Sequence, residues 1–117
     1  MVDCAVSLSY AAIMNLDKAA STLGAMGNRT RLQVVRLLVR TGDQGLPVGR
    51  IQKELKIPSS TLTHHLSHLR GAGLIRQDRQ GTSLYCKMEY RQLDTLWKFL
   101  TKQCCIDMVQ DRAKKVA

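Results

Sequence analysis

The sequence has no apolar run approaching the roughly 18 to 20 residues needed to cross a bilayer. Its opening segment, MVDCAVSLSYAAIMNLDK, carries no basic stretch ahead of its apolar residues, as a secretory leader would. A cytoplasmic protein with no membrane partner is therefore expected. Four cysteines are present but no CxxC, which removes the strongest zinc-ribbon and thioredoxin-like signals. In a cytoplasmic chain, cysteines so spaced read as reactive or metal-binding rather than as a disulfide framework. There are no internal repeats and no low-complexity tract. Acid is scarce too: 9 Asp and Glu stand against 18 Lys and Arg, for a net charge of +9.

The basic excess is concentrated. Residues 28–80 hold ten Lys and Arg and three Asp and Glu, so +7 of the charge lies in the middle of the chain. Such a field attracts polyanions, nucleic acid being the commonest, although a merely solubilising surface would have the same sign. With 117 residues, 44% hydrophobic and 23% charged, the chain fits a single globular domain whose core is small enough for a second copy to add much of the stability. We expect one domain over 1–117, with its core at about 10–105 and a flexible tail over 106–117.

Ile13, Leu16, Ala20, Leu23 and Met26 recur at helical spacing and predict a helix from about 10 to 26, ended by Gly27. Asn28 can cap the next helix, RTRLQVVRLLVRT, with Leu32, Val35, Leu38 and Val39 expected inward and Arg29, Arg36 and Arg40 outward. A short helix follows over about 47–56. After IPSS another starts near 59, capped by Ser59 or Ser60, with Leu62, Leu66 and Leu69 inward. LIRQDRQGTSLYCKM alternates as a hairpin about Gln80 and Gly81, with Leu84, Cys86 and Met88 on one face. From Glu89 the helical period returns, and Leu93, Leu96, Trp97, Leu100 and Cys104 share a stripe.

This order is that of a winged helix-turn-helix: mainly α with a β-hairpin wing. A helix entering the major groove needs short polar side chains near its N-terminus and no carboxylate for phosphates to repel. Ser59, Ser60, Thr63, His64, Ser67 and Arg70 meet that requirement, and Arg76 and Arg79 in the hairpin can reach phosphates or an adjacent minor groove. The expected partner is double-stranded operator DNA. A basic architectural protein without sequence preference would share the charge but bind any duplex equally. His64 and His68, four apart on one face, also have acceptable zinc geometry, but no Glu base or third ligand accompanies them, so a zinc hydrolase is disfavoured and DNA or phosphate contact is the favoured role, with a plain solvated face as the alternative. His65 lies nearer the apolar stripe and is expected to be partly buried.

ASTLGAMGNRTRLQVVRLLV, PSSTLTHHLSHLRGAGLI and RQGTSLYCKM resemble the signature helices and wing of the ArsR/SmtB repressors, over about residues 16–105. The resemblance implies a homodimer, joined through its first and last helices, that represses a promoter until a metal, metalloid or oxidant binds. It places the base-reading residues on Ser59, Ser60, Thr63 and His64. Two departures stand out. PVGRIQKEL has no cysteine, and the last helix has neither histidine nor paired carboxylates, so the metal sites that relatives build there are missing.

That leaves the cysteines. In a regular helix neighbours diverge by about 100°, so Cys104 is expected toward the core or partner and Cys105 toward Lys98 and Lys102, with a disulfide between them disfavoured. Cys86 alternates with Leu84 and Met88 and so points to the same interior. The expected site is Cys86 with Cys104, within a subunit or across the dimer, joined by Cys105 as a third ligand where the helix end frays. Its expected inducer is a trivalent arsenic or antimony species, because thiolates at a helix C-terminus ionise best when a soft ion displaces the proton. Thiol-redox or sulfide sensing on the same fold is the rival, and small buried hydrophobes the plain alternative. Cys4 is a further thiol to which no pattern points.

Overall fold

A computed structural model of the chain describes residues 14–108. Helices α1 (Leu16–Met26) and α2 (Arg29–Thr41) lead through a 3-10 turn (Gly42–Gln44) and a two-residue strand β1 (Leu46–Pro47) into α3 (Val48–Leu55) and α4 (Ser59–Gly71). A hairpin of β2 (Ile75–Gln80) and β3 (Ser83–Met88) follows, and then α5 (Tyr90–Thr101). This is the expected winged helix-turn-helix. The beginning of the first expected helix, before residue 14, lies outside the described residues, as do Cys4 and the end of the tail.

Local chemistry sets the boundaries. The Asn28 side chain accepts from the backbone N–H groups of Thr30 and Arg31 at 3.0 and 3.1 Å, and Asn15 accepts from Lys18 at 2.8 Å, so both early helices start on asparagine caps. Helix α4 starts differently. Pro58, extended at φ −61° and ψ 147°, occupies the cap position, and no side chain caps the helix. Ser59 and Ser60, expected as caps, are instead its first residues. Proline's fixed φ suits the turn into a helix, and the price is a set of N-terminal N–H donors left for other partners.

The sheet order is β1-β3-β2, all antiparallel. The hairpin pairs Gln80 with Ser83, so its two-residue turn is Gly81–Thr82, one position beyond the sequence expectation. On the other side Leu46 pairs with Cys86. Gly45 makes that approach possible: its φ is +68°, and a Cβ there would run into the Cys86 carbonyl oxygen.

The core gathers Val34, Val35 and Leu38 of α2, Ile51 of α3, Leu62, Leu66 and Leu69 of α4, then Leu74, Ile75, Cys86 and Met88 of the wing. The α4 stripe is as expected, each leucine burial contributing on the order of 1.5 to 3 kcal/mol. Two other helices turn differently. In α2 the buried residues are Val34, Val35 and Leu38, whereas Leu32 and Val39 are exposed. In α1 the small residues Ala19, Thr22 and Ala25 face the core, and the larger Leu16 and Leu23 face outward. A second cluster of Met14, Ala19 and Leu96 packs α1 against α5. The Tyr90 hydroxyl, 3.2 and 3.1 Å from the carbonyls of Leu38 and Val39, ties the start of α5 to the end of α2.

Candidate DNA-binding face and thiol site

Burial of Leu62, Leu66 and Leu69 fixes which side of α4 faces out. Ser59, Ser60, Thr63, His64, Ser67 and Arg70 are all exposed, so one helix face carries every expected recognition residue. The Thr63 hydroxyl donates to the Ser59 carbonyl at 2.9 Å. With no side-chain cap, the first N–H groups of α4 point toward whatever approaches that end, which suits a phosphate. The α3 helix adds a polar surface lined by Arg50, Lys53 and Lys56 beside Gly49, a basic element that sequence reasoning did not single out. Its signal was the i, i+3, i+6 spacing of three cations.

His65 is half-buried, as expected, and its Nδ1 lies 3.4 Å from the Arg31 guanidinium, whose Nε donates to the Ala25 carbonyl. Burial, then Arg31, then the neighbouring His64 and His68 hold its pKa below the ordinary value. His65 is therefore neutral near pH 7 and can accept from Arg31.

The two wing arginines have different surroundings. Strand parity sets Arg79 on the same face as Gln77 and Cys86, whereas Arg76 and Asp78 face the other way. Arg79 is exposed beside the turn. Arg76 is held between Glu89 at 3.2 Å and Asp78 at 3.4 Å. Breaking such a contact to reach a phosphate offsets part of the gain. Arg79→Ala should therefore weaken operator binding by on the order of tenfold, and Arg76→Ala by a few-fold at most. A mobility-shift titration at fixed salt checks this, and the reverse order would show that the wing docks with its other face.

Cys86 is buried and Cys105 exposed, as expected, but Cys104 is placed otherwise. Helix α5 stops at Thr101, and residues 102–105 form a turn in which Cys105 adopts φ +61°. Cys104 thus leaves the apolar stripe instead of continuing it, and both cysteines are exposed. Because they no longer follow the helical rotation, their side chains do not diverge: the sulfurs stand 3.5 Å apart, close but not bonded. Cys86 is fully buried in the wing. Among the described residues of one chain, no three His, Cys, Asp or Glu side chains are grouped so as to hold a metal ion, so Cys86 does not complete a site with the exposed pair. Burial pushes its thiol pKa up, against the opposing pull of the Gln77 side chain and of Arg70.

A chain of side chains leads from that buried thiol to α4: Arg70 donates to Gln77 Oε1 at 2.8 Å, and Gln77 Nε2 lies 3.5 Å from Cys86 Sγ. Limited alkylation followed by peptide mapping should find Cys104 and Cys105 modified in the native protein, and Cys86 only after denaturant is added.

Comparison with known proteins agrees with this geometry. A helix-turn-helix domain family model matches residues 26–78. An uncharacterized HTH-type transcriptional regulator of Methanocaldococcus jannaschii is 39% identical over 56% of this chain and 72% of its own length. The transcriptional repressor PagR of Bacillus anthracis is 31% identical over 74% of this chain and 85% of its own. Among solved structures, a homodimeric winged helix-turn-helix DNA-binding domain from Mycobacterium bovis, a possible ArsR-family regulator, superposes with a TM-score of 0.59 at 26% identity, covering 75% of this chain and 82% of that one. This chain belongs to the ArsR family of winged-helix transcriptional regulators. As an ArsR-family protein it is a DNA-binding regulator and not an enzyme. Among its described residues no helix is long and apolar enough to cross a membrane.

Proposed function

We propose that this ArsR-family regulator is a homodimeric repressor that releases its operator when a trivalent arsenical or antimonial is taken up by Cys104 and Cys105. The observation that carries the reading is the 3.5 Å separation of the two sulfurs on an exposed turn. A pyramidal ion bonded to sulfur at about 2.3 Å, with an angle of about 100°, holds two sulfurs about 3.5 Å apart. For a monosubstituted arsenical two As–S bonds form and two As–O bonds break, and the two thiol protons leave with the oxygens as water. Inorganic arsenite has a third position, which among the described residues of one chain no thiol near the pair fills.

The dimer reading rests on the apolar surface left by α1 and α5. Leu23, Met26, Leu93, Trp97 and Leu100 line one open groove, with Leu23 41%, Trp97 65% and Leu100 52% exposed. Side chains of that size are seldom left in water together. The M. bovis relative is described as homodimeric, and PagR as a repressor. Because the thiol turn follows directly on α5, an ion bound there can favour one dimer geometry over another and so shift operator affinity from outside the DNA-contacting face.

Titrating the reduced protein on its operator with phenylarsine oxide tests the reading, and stepwise loss of the complex is expected. Release by peroxide or polysulfide but not by the arsenical would assign the same pair to redox or sulfide sensing.

A further inference from the structure

The exposed face of α4 carries two histidines whose side chains meet. The ring centroids of His64 and His68 are 4.9 Å apart with planes at 71°. Both residues are exposed. A metal–nitrogen bond of about 2.0 Å plus about 1.2 Å to the ring centre sets each centroid about 3.2 Å from a bound ion, so at angles of about 90° to 109° the two rings stand about 4.5 to 5.2 Å apart. The observed separation falls inside that window. His64 and His65, at 5.9 Å, fall outside it, and His65 is engaged with Arg31.

We infer that His64 and His68 form a two-imidazole chelate for a borderline divalent transition-metal ion, of the class Cu2+, Ni2+ or Zn2+, and that its occupancy competes with operator binding. The chemistry selects the ion. Imidazole pairs favour the later first-row metals, and with no carboxylate in the pair Mg2+ and Ca2+ have nothing to hold them. Two protein donors leave the remaining positions to water, so the site is exchangeable and open. Competition follows from place, and this part rests on the reading of α4 as the DNA-contacting helix. An ion on His64 removes a hydrogen-bonding side chain from that face and fixes its rotamer.

The test uses Ni2+ alone as probe on the full chain carrying Cys104→Ser and Cys105→Ser, so that the thiol pair does not contribute. Isothermal titration gives the affinity, and paramagnetic broadening of backbone amide signals gives the place. Broadening centred on residues 64–68 is expected, with affinity reduced at least about tenfold by His68→Gln and unchanged by His65→Gln. Broadening centred elsewhere, or a His68→Gln variant that binds Ni2+ as well as its parent, overturns the chelate. With the site filled, operator affinity should fall in the parent and not in His68→Gln. Unchanged affinity at full occupancy overturns the competition. The chelate is read by Ni2+ titration without DNA, so its failure is distinguishable from failure of the reading of α4 as the DNA-contacting helix.

Discussion

Phenylarsine oxide should lower operator affinity about 5- to 150-fold, the usual range of coupling between two sites, and in the Cys104→Ser, Cys105→Ser protein that ratio should drop to near one while operator binding stays intact. Both cysteines are exposed on a turn beyond the last core-forming helix, so replacing them removes thiols without opening a cavity. Stability should change by no more than about 0.5 kcal/mol. Each single variant should also lose release, because one thiolate gives an arsenical one bond that water and buffer thiols readily exchange. Cys86→Ser is the contrasting variant. It sets a hydroxyl at a fully buried position and should cost about 1 to 3 kcal/mol of stability, yet keep release. The measurement is a fluorescence-anisotropy titration of labelled operator with and without arsenical for the parent and all four variants. Loss of release in Cys86→Ser, with release kept in the double variant, would move the inducer site into the wing, with the Arg70–Gln77–Cys86 chain as its route to α4.

The fold was largely legible because its strongest signals are local. Asn28 as a cap, Pro58 at a helix entrance, the leucines at 62, 66 and 69, and the alternation of Leu84, Cys86 and Met88 each act within a few residues, and each is found as read or within one position. Periodicity finds a stripe without saying what covers it. Leu16, Leu23, Trp97 and Leu100 were read as members of apolar stripes, but the chain's own core takes the smaller Ala19, Thr22 and Ala25 from α1 and Leu96 from α5, and the larger residues stay exposed on the subunit. The exposure of Ser59, Ser60, Thr63, His64, Ser67 and Arg70 was legible for the same reason as the α4 core: one helix has one outward side. The thiol geometry was not. It depends on where α5 ends, and neither glycine nor proline marks Thr101 as an end. A helix carried four residues further would have separated Cys104 from Cys105, whereas the left-handed Cys105 brings their sulfurs together. Nor did the sequence distinguish Arg76 from Arg79, because the contacts of Arg76 with Asp78 and Glu89 arise from strand pairing and the start of α5.

Trp97→Glu should turn the protein into a folded monomer and lower operator affinity by about a hundredfold or more. Trp97 is 65% exposed in the isolated subunit, so its loss removes little from the subunit's own core, and a circular-dichroism melt should keep its cooperative transition. In the proposed dimer the same residue sits in the apolar groove with Leu23 and Leu100, where a carboxylate would be desolvated without a partner at two symmetric places. The effect on DNA follows from valence. A dimer holds two recognition helices at the spacing of two half-sites, so the second contact is intramolecular, and a monomer loses that advantage while each α4 remains unchanged. Sedimentation velocity at micromolar concentration, with operator and half-site duplexes titrated in parallel, separates the possibilities. A monomer that binds the half-site as well as wild type but the full operator far more weakly is the expected result. A Trp97→Glu protein that stays dimeric and binds normally would place the dimer contact on another surface, and with it the mechanical link between the thiol turn and α4.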